Sequence, residues 1–227
     1  MKNFKSLILL LGLVFLLSSC EKDEGDPFAD VDGVKYKVTF DLNWNSTDFP
    51  TDYPGNAHFS KLIGWSHTAT STFFQTGTMA SAGIENMAET GGTDILASEL
   101  QTRIDNKEGL DATVGGNLSS GTGTIEVVLA VDGDHPAITL ATMIAPSPDW
   151  YVAVVNIGLL EDGAFVDSKT VTAHVYDSGT DSGEAYTSPD DDTDPQEPIT
   201  LFVDSPLGDG TTVNAPIGSV TFTKMDE

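Results

Sequence analysis

From Val34 to Trp44 the chain alternates without a break: Val34, Tyr36, Val38, Phe40, Leu42 and Trp44 are apolar, and Lys35, Lys37, Thr39, Asp41 and Asn43 stand between them. Successive side chains of a strand point to opposite faces, so this segment puts one face into a core and the other into water. Further stretches rich in Val, Ile and Thr, separated by Gly, Pro, Asp and Asn clusters, predict strands at 124–131, 137–145, 150–157, 169–176, 199–203 and 219–223. Helix is scarce. Thr93 or Asp94 can cap a segment in which Leu96, Leu100 and Ile104 share one face, and a short helical turn fits around 84–88. Many strands with few helices predict an all-β fold, an antiparallel β-sandwich with one or two short helices in crossover loops.

Ahead of these strands, Lys2 and Lys5 precede an apolar run from Leu7 to Leu17. The run falls short of the ~20 apolar residues that a bilayer-spanning helix needs, and Glu21, Lys22, Asp23 and Glu24 cut it off. Residues 1–19 therefore read as a secretory signal peptide. Leu17-Ser18-Ser19-Cys20 resembles the lipobox of bacterial lipoproteins, which implies cleavage before Cys20 and a diacylglycerol on its thiol. A buried structural cysteine is the alternative. Lys22-Asp23-Glu24 resembles the acidic export tag of surface lipoproteins. The expected location is the outer membrane or cell surface, with Cys20 holding the chain to the membrane. Residues 20–33 read as a flexible acidic tether and residues 34–225 as one domain. Cys20 is the only cysteine, so no disulfide can staple that domain, and it must stand on its core.

The 35 Asp and Glu residues outweigh 10 Lys and Arg, for a formal charge of −25. Such a field repels nucleic acid and attracts cations. Enzyme signatures are missing: there is no Gly-x-Ser-x-Gly elbow, no phosphate-binding Gly-rich loop with Lys, no His-Glu-x-x-His, and no cysteine besides the one expected to carry lipid. His58, His67, His135 and His174 are scattered without ligand spacing. A non-catalytic module is expected, and an exported carbohydrate-active or glycan-binding sandwich is the alternative.

The acidic residues near strand ends say more. Taken as one antiparallel meander, 124–131 runs up, 137–145 down, 150–157 up and 169–176 down. Asp149 then begins a strand at the rim where Tyr176 ends and Asp177 follows, and Glu126 falls toward the same rim. The loop Asp177-Ser178-Gly179-Thr180-Asp181-Ser182-Gly183 adds Asp181, hydroxyls and carbonyls. Hard cations such as Ca²⁺ take 6–8 oxygen ligands in a flexible cage, which makes Asp149, Asp177, Glu126 and Asp181 the expected metal ligands. Asp also supports turns, and that role fits the same residues. Asp190, Asp192 and Asp194 sit at the first, third and fifth positions of an EF-hand-like pattern, but Pro195 stands where Gly is required and Leu201 where Glu is. That run is expected to be a solvated acidic loop.

Several segments together resemble the spondin N-terminal domain family. His58-Phe59-Ser60-Lys61-Leu62-Ile63-Gly64 with His67, Ala80-Ser81-Ala82-Gly83-Ile84 and Ala88-Glu89-Thr90-Gly91 resemble its first half. Ala145-Pro146-Ser147-Pro148-Asp149-Trp150-Tyr151-Val152 and the 176–183 segment resemble its second half. The resemblance implies a C2-like antiparallel β-sandwich that binds calcium and serves extracellular adhesion, with metal aspartates at Asp149 and Asp177. A family glutamate would fall on Glu126 if the segment 131–136 holds an insertion. The animal members carry disulfides and thrombospondin repeats, which this chain lacks, so their partners do not transfer. The ligand expected here is an extracellular protein or glycan of unknown identity.

Overall fold

The computed structural model describes residue 28 and residues 31–226; the expected signal peptide and Cys20 lie outside them. In chain order the elements are β1 (Val34–Asn43), β2 (His58–Phe59), β3 (Ile63–His67), helices α1 (Ala82–Thr90) and α2 (Asp94–Asp105), β4 (Gly109–Val114), β5 (Thr122–Val131), β6 (Ala137–Ala145), β7 (Trp150–Gly158), the hairpin β8 (Leu160–Glu161) and β9 (Ala164–Phe165), β10 (Ser168–Thr172), β11 (His174–Asp177), β12 (Thr200–Leu201) and β13 (Gly218–Lys224). One sheet has the order β10-β13-β1-β5, and the other β12-β11-β7-β6-β3-β4 with β2 beside β6. The pairings are antiparallel.

The alternation of β1 does what period two requires. Tyr36, Val38, Phe40 and Leu42 are buried between the sheets, while Lys37 and Asp41 face water. β6 behaves differently, because all nine of its residues are buried. Ile138, Leu140 and Ile144 face the inter-sheet core, and Ala141, Met143 and Ala145 face a second core under α1 and α2. The molecule is thus a sandwich with a helical layer on one outer face. β7 sits in the middle, sending Trp150, Val152 and Val154 into the first core and Tyr151 and Ala153 into the second. Phe28, within the stretch read as a tether, is buried in the helix-side core.

Two features depart from the simple meander. The segment 169–176 is not one strand: β10 pairs with β13 in the first sheet and β11 pairs with β7 in the second. The chain changes sheets at Ala173, a small buried residue. β5 likewise lies beside β1 in the first sheet rather than beside β6. Of the strands in that meander, only β6, β7 and β11 lie side by side in this order, and these three set the rim that carries Asp149 and Asp177.

Candidate metal centre

β7 and β11 pair so that Trp150 stands opposite Asp177. Strand reversal therefore brings Asp149, just before β7, beside the end of β11. The backbone confirms the closeness, since the Ser178 amide donates to the Asp149 carbonyl at 3.3 Å. Asp149 is fully buried, at 0% exposure. Its Oδ2 accepts from Ser178 Oγ at 2.9 Å, Thr180 N–H at 2.8 Å and Asp181 N–H at 3.2 Å. Its Oδ1 is buried and has no hydrogen-bond partner. Half of a buried carboxylate left bare is unfavourable unless something positive meets it.

The loop after β11 is built from two copies of Asp-Ser-Gly. Asp177 Oδ1 accepts from the Gly179 amide at 2.8 Å, and Asp181 Oδ1 from the Gly183 amide at 2.7 Å. Each is an aspartate turn of the kind the residue type favours. Gly179 has a left-handed backbone, φ 74°, and a Cβ there would lie 2.2 Å from the Glu197 carbonyl oxygen, so only glycine fits. The remaining oxygens are engaged too: Asp177 Oδ2 accepts from Trp150 Nε1–H at 3.2 Å, and Asp181 Oδ2 from the Asp191 amide at 3.3 Å. A carboxylate has about four lone-pair sites, so these bonds leave capacity for a cation.

Electrostatically the rim is one-signed. Burial, then the neighbouring Asp149 and Glu197 charges, push Asp177 up to about 6. Glu89, in the last turn of α1, has its pKa raised by burial first and then by the charges of Glu85, Asp149 and Asp181. The ion pairs among the described residues lie elsewhere, on Lys37, Arg103, His135, Lys169 and Lys224. Also among the described residues, no group of three or more His, Cys, Asp or Glu side chains is placed to hold a metal ion. The reason is visible: Asp177 and Asp181 are turned toward their own loop amides. Asp177 and Asp181 open onto a bowl of about 830 Å³ that Glu184, Thr193, Glu197 and Asp204 also line.

Of the four residues expected as ligands, the fold brings Asp149, Asp177 and Asp181 together and leaves Glu126 out. Glu126 lies on the outer face of β5, in the other sheet, where Lys37 Nζ binds it at 2.8 Å and Thr39 Oγ1 at 3.3 Å. The placement of β5 beside β1 is the cause. Asp190, Asp191, Asp192 and Asp194 are exposed as expected, but the backbone of this run is pinned to the loop: Asp181 bridges Asp192, and the Thr193 amide donates to the Thr180 carbonyl at 2.8 Å. Glu89 and Glu197 were not anticipated. An acid two residues before the helix-ending Gly91, with no basic residue in that turn, makes Glu89 unusual for a helix end but does not tell that it nears the loop.

The Spondin_N family model matches residues 34–207, which takes in both Asp-Ser-Gly turns, Asp149 and both helices. The chain belongs to the Spondin_N family. Spondin-2 of Rattus norvegicus is 28% identical over 93% of this chain and 70% of the rat protein. Spondin-2 of Homo sapiens is 30% identical over 75% of this chain and 53% of the human protein. Spondin-1 of Mus musculus is 32% identical over 73% of this chain. This chain spans about half of human spondin-2 and only 21% of mouse spondin-1. No helix among the described residues is long and apolar enough to cross a membrane.

Proposed function

We propose that this Spondin_N chain is a non-catalytic, calcium-binding adhesion or recognition module, held on the outer face of a membrane by lipidated Cys20. The observation that carries the cation is Asp149, a fully buried carboxylate with one bare oxygen, beside other acids and with no ion pair among the described residues. Oxygen-only donors on a flexible loop suit Ca²⁺, which tolerates irregular cages of 6–8 ligands, better than Mg²⁺, which demands a near-ideal octahedron. Asp149, Asp177 and Asp181 would hold the ion, with Ser178, Thr180 and loop carbonyls available as neutral oxygens. The ion would supply positive charge that relieves carboxylate repulsion and fixes the loop at the mouth of the bowl. Family membership supports the recognition role, and the bowl gives a partner room to approach the loop.

Comparing melting temperatures in EDTA and in excess Ca²⁺ tests the cation. The wild type is expected to rise by several degrees and Asp149→Asn by none, and an unmoved wild type would sink the reading. The anchor is tested separately: Cys20→Ser should move the protein from the membrane fraction to the soluble fraction, because acyl chains supply the membrane affinity. Membrane retention of that variant would remove the lipid from the account.

A further inference from the structure

We propose that a pocket at the pole where β1 begins takes one acyl chain of a membrane phospholipid, with its phosphate on Lys35 and Lys224. The pocket stands on its own walls; that the lipid comes from the membrane beneath rests on reading Cys20 as the anchor.

The topology places this pole. Val34, where β1 begins, pairs with Val131 at the end of β5. A short turn leads to Ala137, the start of β6, which pairs with Gly158 at the end of β7. Trp150 and the acidic rim beside it lie at the other end of β7. The start of β1 and the rim therefore occupy opposite poles. Cys20 stands fourteen positions before Val34, at most roughly 50 Å of extended chain. The expected anchor thus keeps the Val34 pole nearer the bilayer than the rim.

A pocket of about 720 Å³ opens at the Val34 pole. Val34 and Lys35 form one wall, Ala164 and Phe165 of the β8–β9 hairpin a second, and Lys224, Met225 and Asp226 a third. The walls are pinned to one another. The Met225 amide donates to the Lys35 carbonyl at 2.9 Å, and the Lys224 amide to the Asp167 carbonyl at 2.9 Å. The Tyr36 hydroxyl donates to the Val166 carbonyl, which ties the segment after the hairpin to β1. Asp162 and Gly163 turn the hairpin with φ of 50° and 80°, the left-handed pair that a tight hairpin needs. The pocket is built into the fold.

Its lining divides as a lipid divides. Val34 and Phe165 pack on the inter-sheet core and carry its apolar surface to the pocket. Met225, a large apolar side chain, is 42% exposed there. Ligand pockets are mostly apolar, with a few polar groups that fix orientation; here those are Lys35, Lys224 and Asp226. In a chain with 10 Lys and Arg against 35 Asp and Glu, two lysines at one apolar pocket are a local reversal of charge. Lys224 Nζ meets Asp167 Oδ1 at 2.6 Å, but that carboxylate is 91% exposed. Such pairs are weak, and an ammonium has three donors to share. A phosphate suits the two lysines, and the ammonium of a phosphatidylethanolamine suits Asp226.

The test titrates lauroyl lysophosphatidylethanolamine, below its micelle concentration, into purified Cys20→Ser, which carries no lipid of its own. One molecule should bind per chain. The decanoyl homologue should bind about fifteenfold more weakly, since two fewer CH₂ groups leave water. Ala164→Trp, added at an exposed position, fills the pocket and should abolish binding while the melting temperature holds. Lys35→Gln with Lys224→Gln should cost about tenfold with the phospholipid and nothing with uncharged monolaurin. Asp149→Asn should bind the lipid as its parent does. Absence of saturable binding, unchanged binding in Ala164→Trp, or no dependence on chain length overturns the inference and leaves the cation reading intact. Equal affinity for lauric acid makes the occupant a free fatty acid and overturns it too, as does loss of binding in Asp149→Asn. Saturable, length-dependent binding supports the pocket even if Cys20→Ser stays in the membrane fraction, the result that removes the anchor.

Discussion

Glu126 and Asp149 are both acids of strand-forming segments in one sandwich, and they live in opposite electrostatic worlds. Glu126 is about half exposed and has Lys37 at 2.8 Å, which lowers its pKa through a hydrogen bond and an opposite charge. The same sheet also carries Lys169, paired with Glu161, and Lys224, paired with Asp167. Asp149 is fully buried, pairs with no basic side chain among the described residues, and is coupled to the charges of Asp177 and Glu89. Solvent and lysine settle the charge of the outer face, whereas folding itself concentrates charge at the rim. Of the two regions, only the rim stands to gain from a cation.

The largest break in that contrast should come from Asp149→Ala. It removes the acceptor for Ser178, Thr180 and Asp181 and leaves buried donors unpaired, at about 1–3 kcal/mol. Urea unfolding should show that loss, together with complete loss of the Ca²⁺ response. If the variant keeps a wild-type response, the rim does not hold the ion.

Next comes pH. The folded-state pKa of Asp177 is raised to about 6 from 3.8, first by burial and then by Asp149. A raised pKa means that its contribution is present while the carboxyl is protonated and is lost as pH rises through about 6. The ion-free wild type should therefore lose about 2 kcal/mol relative to Asp177→Asn between roughly pH 4 and pH 7. Saturating Ca²⁺ should cancel that loss, since the ion binds the ionised form. Denaturation curves of both proteins at the two pH values, with EDTA and with Ca²⁺, check the sign.

The smallest effects should come from the outer acids. Glu126→Gln should leave both the melting temperature and the Ca²⁺ affinity at wild-type values, as exposed pairs contribute little. Asp192→Ala should do the same, because its backbone, not its side chain, bridges Asp181. A loss of Ca²⁺ affinity in Glu126→Gln would erase the distinction between the two regions.

Much of this contrast was legible in the sequence where one physical cause acted alone. The alternation of Tyr36, Val38, Phe40 and Leu42 marked β1, and a stretch rich in Ile and Thr between turn clusters marked 137–145 as strand with the bounds observed. The adjacency of Asp149 and Asp177 followed from two reversals between neighbouring strands. β3 and β4 escaped notice because burial on both faces erases alternation: Ser66 and His67 in β3, and Asp111 and Thr113 in β4, are polar yet buried. The Glu126 placement failed because alternation tells which residues share a face, not which sheet a strand joins. β10 and β11 were read as one strand because a sheet change at Ala173 leaves the local pattern intact. Glu89 went unnoticed because its coupling to Asp149 depends on how α1 docks, which no local pattern tells.

Calorimetric titration of Ca²⁺ into EDTA-stripped protein, run beside Asp149→Asn, puts the rim to its most direct test. The account predicts saturable binding by the wild type that Asp149→Asn abolishes. A flat titration of the wild type, or equal binding by the two proteins, would contradict it.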